Sequence, residues 1–363
     1  MIVDFKNHLN WSMVNAIGKR YSGKYVVIHS DDWGSIRMPS NQVREKLYQL
    51  PGISKNSPYD YFDTLASPDD LIALFEVLKG FKDCKGNHPV VTANCVLANP
   101  DFEKIKSTNF ESYHFEPIKD TFHTYGIEKS FELWEEGIKE NIFIPQFHGR
   151  EHVRIEAWMK ALKNNSEIAR KAFELGTFAV ESHNFKVRKG NFQAAWDFAL
   201  PHENLQILNS IEQGLEMFKK QFGFHSKTAI APSYTWTEDQ ELLCKSLGVN
   251  QMQGILTQKI PNSGDNYTFK KRFQGMDYQM RNAFFEPSID SKYNALQVIQ
   301  RARVAFAFNK PLIISAHRLN FIGGLKEENR TKNLLNLQSM LKGLLARFPD
   351  IQFLSADQLV EKQ

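Results

Sequence analysis

Cysteine is scarce in this 363-residue chain, which has only Cys84, Cys95 and Cys244, odd in number and scattered. The lack of a CxxC pair excludes a disulfide framework and a zinc site built on thiolates, so buried free thiols are expected. Charge of one sign is not concentrated either. With 45 basic against 41 acidic residues and no Arg-rich stripe, nothing is built to hold a polyanion, and no nucleic-acid partner is expected. Long hydrophobic runs are missing too, so no membrane span is expected. The start, MIVDFKNHLNW, carries charges and amides where an export signal needs an apolar run, and a cytoplasmic location is expected. There is no internal repeat and no low-complexity linker, which favours a single domain over residues 1–363. Oligomeric state leaves no mark on the sequence.

What the chain does contain is an ordinary globular mixture, 42% hydrophobic and 24% charged, with 28 Phe expected mainly to fill a core. At this length most apolar surface can be buried without a staple. Short apolar runs without polar alternation, Tyr25–Ser30 (YVVIHS), Val90–Leu97 and Ile142–Phe147 (IFIPQF), read as parallel strands buried on both faces. Further strands are expected at Lys227–Ala231, Asn250–Leu256, Pro311–Ser315 and Ile351–Leu354. Helical patterns cover Ser130–Lys139, Leu205–Phe222, Thr237–Leu247, Ser291–Phe308 and about Glu327–Arg347. The less regular Tyr267–Pro287 is expected to hold a pair of antiparallel strands. Strands alternating with helices predict an α/β fold with a mostly parallel sheet, open or closed into a barrel. Residues from about 40 to 141 are long for one crossover and are expected to contain an extra excursion.

Three polar clusters follow expected strands, where parallel α/β folds build their sites. They are HSDDWG with Asp31 and Asp32, FHGREH with His148 and His152, and SAHRLN with His317. A spacing of four puts two imidazoles on one face of a helical turn, close enough to share a cation. The spacing alone also suits surface or capping histidines; its place after a buried strand is what points to a metal. Adjacent carboxylates repel unless a cation or a donor lies between them. A divalent ion taking one carboxylate and two imidazoles resolves the repulsion, frees the second carboxylate to act as a base, and leaves positions for water and substrate. His317, with an ordinary pKa near neutrality, suits a general acid for a leaving amine.

The order of these clusters resembles the polysaccharide deacetylases, the NodB-homology carbohydrate esterases that remove N- or O-acetyl groups from sugars. Their TFDDG motif is similar to Ser30-Asp31-Asp32-Trp33-Gly34, their H-S/T-x-x-H to His148-Gly149-Arg150-Glu151-His152, and their L-x-x-H to Ile314-Ser315-Ala316-His317. The resemblance covers about Tyr25 to the C-terminus. It implies an irregular (β/α) barrel of about seven strands, with Asp31 as base, Asp32, His148 and His152 as metal ligands, and His317 as acid. It also implies an acetylated carbohydrate substrate. Zinc is the preferred ion, though cobalt, nickel or iron suit the same donors.

Departures from the family are informative. The family's R-x-P-Y finds only Ala231-Pro232-Ser233-Tyr234, so the Arg that orients the catalytic Asp is missing. The Tyr234 backbone N–H keeps the expected oxyanion role, and Arg281 in QMRNAFFEP is the candidate replacement guanidinium. Trp33 and Trp236, beside the motifs, are candidate platforms for sugar rings. His29, His123 and His183 read as structural. Asp32 and His148 stand 148 − 32 = 116 residues apart, which agrees with the excursion. Two other readings stay open: a non-catalytic sugar binder of the same fold, and another metal hydrolase, which would usually need a second metal cluster. The sugar itself, and N- against O-deacetylation, are not written in the sequence.

Overall fold

A computed structural model describes residues 5–262, 267–269 and 276–362. Its centre is a parallel sheet of strands β1 (Tyr25–Trp33), β2 (Val91–Cys95), β3 (Phe143–Phe147), β4 (Thr228–Ala229), β5 (Gln251–Gly254), β6 (Asp277–Met280), β7 (Ala283–Phe284), β8 (Leu312–His317) and β9 (Gln352–Phe353). The spatial order is β6-β5-β4-β3-β2-β1-β8-β7, with β9 pairing the start of β1. Every pairing in this sheet is parallel. β1, β2 and β3 are buried at every position, as a sheet covered on both faces demands.

The two ends of the sheet are consecutive in the chain. β6 pairs with β5 and β7 with β8, and only Arg281 and Asn282 lie between them. The Arg281 N–H donates to Gly254 O at 2.8 Å, and the Asn282 N–H to Ile313 O at 3.0 Å. The sheet thus curls until one stretch of backbone bridges its two edges, an irregular α/β barrel as the alternation of elements predicts. Arg281 falls at the junction.

Helices cover the outside. Residues 295–307 and 327–347 pack together, and 129–139 lies on β3. Gly137 makes that last approach possible: a Cβ there would come within 2.7 Å of Phe143 Cβ and 2.8 Å of the Phe75 ring. Beneath it, Trp33 meets Trp134 and Phe143 edge-on, with ring centroids 6.4 and 4.8 Å away. Among the described residues no helix is long and apolar enough to cross a membrane.

The 40–141 region holds two crossovers, one either side of β2, with elements outside the main sheet. The first holds helices 41–47, 58–62 and 68–79. The second holds a short antiparallel pair (98–100 with 115–117) and helices 102–107, 118–124 and 129–139. Among the described residues of Tyr267–Pro287, the expected antiparallel pair is not formed. Residues 267–269 pair antiparallel with 257–259, and 277–284 enters the parallel sheet, while 263–266 and 270–275 lie outside the described residues.

Candidate metal centre and its flanking groups

Successive residues of a regular strand face opposite sides, so Asp31 and Asp32 should not reach one site. The strand is not regular there. Ser30 pairs with Ala93 and Trp33 with Cys95, three steps against two, which is a bulge. Asp32 carries it with φ +74, a left-handed conformation that Asp tolerates better than most residues. Both carboxylates therefore sit at the C-terminal rim of the sheet. Asp31 is the register partner of His317 on β8, and Asn94 stands at the end of β2 on the other side. His148 follows β3 directly.

His148 and His152 come together as expected, though not on a helix. Residues 148–154 are irregular, Gly149 holds φ +111, and the ring centroids are 4.8 Å apart. Gly149 allows this fold-back, since a side chain would be strained at that φ and its Cβ would lie 3.0 Å from Glu151 O. His148 Nδ1–H donates to Ile230 O at 2.9 Å, which turns its Nε2 lone pair toward Asp32 Oδ1 at 3.4 Å. His152 Nε2 lies 3.2 Å from the same oxygen. Burial, helped by the Arg37 charge, holds the His152 pKa down to about 4, so its imidazole is neutral at physiological pH.

The donor set fits a divalent ion. Two imidazole nitrogens and one carboxylate oxygen, all buried, converge with their ligand atoms within 4.8 Å of one another. Ligands roughly 2.1 Å from one ion in tetrahedral geometry stand about 3.4 Å apart, the separation found here. A carboxylate oxygen facing an imidazole lone pair at 3.4 Å is repulsive unless a cation lies between them. Asp32, His148 and His152 form the one such cluster among the described residues, which leaves a two-metal hydrolase without a second site.

Asp31 lies beside this cluster and is held by Arg281. Both guanidinium Nη atoms donate to its carboxylate at 2.6 Å, and Asn94 Nδ2 adds a third bond at 2.7 Å. Burial alone would raise the Asp31 pKa; the Arg281 charge outweighs it and holds the carboxyl well below the usual range. Arg281 thus reaches Asp31 across 250 residues of sequence. His29 buttresses it. Its Nδ1 accepts from Arg281 Nε at 3.3 Å while Nε2 bonds Gln279 Oε1 at 3.0 Å, and burial together with Arg281 keeps that imidazole neutral.

On the other flank, His317 Nε2 lies 3.8 Å from Asp31 Oδ2, and its Nδ1 bonds Glu286 Oε1 at 2.6 Å. Burial would lower the His317 pKa; the Glu286 carboxylate overcomes it and lifts the value to about 9. Asn320 Nδ2 in turn bonds the other Glu286 oxygen at 2.6 Å. His317 is therefore an imidazolium at neutral pH, aimed at the site and partly exposed to it.

Three expectations need correction. Trp33 and Trp236 are 1% and 0% exposed, their indole N–H groups bonded to Ser30 Oγ and Glu241 Oε2, so neither presents a face to a sugar. The Tyr234 backbone N–H is not free for an oxyanion, because it donates to Ala231 O at 3.0 Å in a tight turn. The Tyr234 hydroxyl faces the site instead, 3.1 Å from Arg281 Nη1. Glu286, Arg37, Asp63 and Asn94 were not anticipated. Glu286 had a signal: it lies in the QMRNAFFEP stretch that supplied Arg281. Arg37 and Asp63 had none, being polar residues in loops of no special pattern.

Asp31, Asp32, His148, His152 and His317 open into one cavity of about 540 Å³. Its outer part mixes polar Ser54, Tyr59, Asp60, Glu181, Asn191 and Gln193 with apolar Pro58, Val180 and Ile255, the first group coming from the loop and short helix over 54–60 and from the loops over 181–193. Those loops are tied together by the Ser54 N–H to Glu181 O bond at 2.9 Å and by Ser182 Oγ to Gly52 O at 2.7 Å.

No family model matches the chain, and no curated protein does. Solved structures to which it is similar include a 4-alpha-glucanotransferase from Thermococcus litoralis, 10% identical with a TM-score of 0.45, which covers 95% of this chain and 41% of that one. Others are a peptidoglycan deacetylase from Bacillus subtilis (10%, TM-score 0.38, 94% and 92% covered) and a CE4-family pseudoenzyme from Bacillus anthracis (8%, 0.40, 94% and 66%). The chain thus spans about two fifths of the glucanotransferase. Several of the similar structures are polysaccharide deacetylases and one is a pseudoenzyme. None of these likenesses reaches a TM-score of 0.5, and the chemistry of the site rests on its own residues.

Proposed function

We propose that the chain is a divergent polysaccharide deacetylase, a metal-dependent hydrolase that removes an acetyl group from an acetylated sugar or glycan precursor. The observation that carries this reading is the pairing of two differently tuned groups around one donor set. Asp31, kept ionised by Arg281, and His317, kept protonated by Glu286, flank Asp32, His148 and His152 within a single cavity. Environments that drive an acid and a base apart in pKa mark hydrolytic sites.

A divalent ion held by Asp32, His148 and His152 supplies a Lewis acid for the acetyl carbonyl and a water that ionises near neutral pH. The protein's own groups do the rest. Asp31 accepts a proton from the attacking water, its orientation set by the two Arg281 bonds and Asn94. His317 then donates its Nε2 proton to the departing amine or alcohol, and Glu286 stabilises the imidazolium until that transfer. The Tyr234 hydroxyl, rather than its backbone, is the group placed to donate to a developing oxyanion. The polar side chains of the outer part suit hydroxyl-rich ligands, and zinc suits the donors best.

Acetate release from a panel of N- and O-acetylated sugars tests the proposal, comparing metal-loaded wild type with Asp31→Asn. Release that needs both metal and Asp31 is the expected result. A panel with no metal-dependent release would favour the non-catalytic binder.

A further inference from the structure

Asp32 uses its two oxygens differently. Oδ1 faces both imidazoles, at 3.4 and 3.2 Å, while Oδ2 accepts from Arg37 Nη2 at 2.8 Å. The fold makes this contact deliberately rigid. Gly34 has φ +82 and the Ser35 N–H donates back to Asp32 O at 3.2 Å, so the chain reverses and returns Arg37 to the carboxylate five residues behind it. Arg37 is 7% exposed. It bonds Gln193 Oε1, its Nε lies 3.4 Å from Asp63 Oδ2, and its guanidinium stands 5.3 Å from the centroid of the Tyr59 ring.

Asp63 is itself fully buried and anchored from the far side. Arg318, the residue after His317, donates to Asp63 Oδ1 through Nε at 3.0 Å and Nη2 at 2.9 Å, and its Nη1 donates to Ser35 O at 3.0 Å. Two guanidinium groups and one carboxylate therefore tie the loop that follows β1 to the end of β8, the strand that carries His317. Moving this buried cation would take the positive charge away from Oδ2 of both Asp32 and Asp63, which costs free energy in a buried site.

The geometry points to Arg37 as a positioning residue that caps Oδ2 of Asp32 and so compels that carboxylate to bind a metal through Oδ1 alone. This rests on the metal-centre reading above and extends it. An uncapped Asp can chelate through both oxygens, which fills a further position on the ion. With Oδ2 held, the protein supplies three donor atoms, and the remaining positions stay open to water and substrate. Groups just behind a ligand tune a metal in this way.

Cobalt(II) bound to the full-length chain reports the outcome, because its visible d–d bands are intense at low coordination number and weaken as donors are added. Wild type is compared with R37M/D63N, which removes the cap and its buried counter-charge together, and with R37K, which keeps one donor and the charge. The expected result is intense bands in wild type, loss of intensity in R37M/D63N, and wild-type intensity restored in R37K. Equal spectra in wild type and R37M/D63N would overturn the proposal while leaving the metal centre standing. A wild type that binds no cobalt would remove the metal centre itself. Should R37M/D63N not fold, X-ray absorption on zinc-loaded wild type decides: one short carboxylate oxygen is expected, and the signature of a chelating carboxylate would refute the cap.

Discussion

Substituting Glu286 by Gln should move the titration of His317 further than any other single change in the site. The Nδ1 of His317 lies 2.6 Å from Glu286 Oε1, and this carboxylate is the main force that opposes burial, carrying the imidazole from 6.5 to about 9. A rise from 6.5 to about 9 corresponds to roughly 3 kcal/mol of preference for the imidazolium. A Gln at this position can still satisfy Asn320 with its carbonyl. Its amide nitrogen then faces Nδ1 as a donor, which favours neutral imidazole. With the attraction gone and burial left, the midpoint should fall to 6.5 or below. The sign for stability follows. A raised folded-state pKa adds stability that is full below 6.5 and lost as pH rises through about 9, so wild type should lose this increment across that window and E286Q should not. The assay is the NMR titration of His317 beside the pH dependence of acetate release. The basic limb should move from about 9 to near or below 6.5 in the variant. A midpoint unchanged in E286Q would refute the assignment of Glu286 as the source of the shift.

Removing Arg281 should be costly to the fold as well as to catalysis. R281M removes the two shortest bonds of buried Asp31 and leaves it with Asn94 and the more distant His317, and breaking such a pair costs about 3–5 kcal/mol, measurable by urea unfolding. Adding Asp31→Asn should recover part of that stability without recovering activity. Trp33→Phe and Trp236→Phe should each lower stability by about 1–3 kcal/mol, through lost packing and the lost indole bond to Ser30 or Glu241, and leave the KM for sugar unchanged. A raised KM would restore the sugar-platform reading. Chelation should lower the Tm of wild type, since an ion at about 1,000 times its Kd stabilises by roughly 4 kcal/mol. His152→Ala, short of one ligand, should show little response, and an equal response would place the ion elsewhere.

Much of this was legible in the sequence because parallel strands leave a plain trace. Runs such as YVVIH and IFIPQF are apolar throughout, and polar residues that follow them fall at one rim of the sheet. Asp31, Asp32, His148 and His317 were found by that logic. The reason both aspartates reach the site was hidden, since a bulge with φ +74 at Asp32 has no sequence signature apart from a residue type that tolerates it. The helical turn expected for His148 and His152 failed because Gly149 at φ +111 breaks it, and the loop delivers the same convergence. Arg281 is a candidate from its place in the QMRNAFFEP stretch, and its position at the site is explained only by the two-residue link that joins β6 to β7. Arg37, Asp63 and Arg318 were illegible, because a buried ion-pair network is assembled by tertiary contacts between loops 255 residues apart. The tryptophans misled because adjacency in sequence to a rim motif places the next side chain inside the core as readily as in the cleft.

The central claim is that Asp32, His148 and His152 hold one metal ion on which hydrolysis depends, and anomalous diffraction from a zinc-soaked crystal tests it most directly. One strong peak is expected about 2.0–2.2 Å from Asp32 Oδ1 and from Nε2 of both histidines. No peak there at saturating zinc, or a peak that touches other side chains, would contradict it.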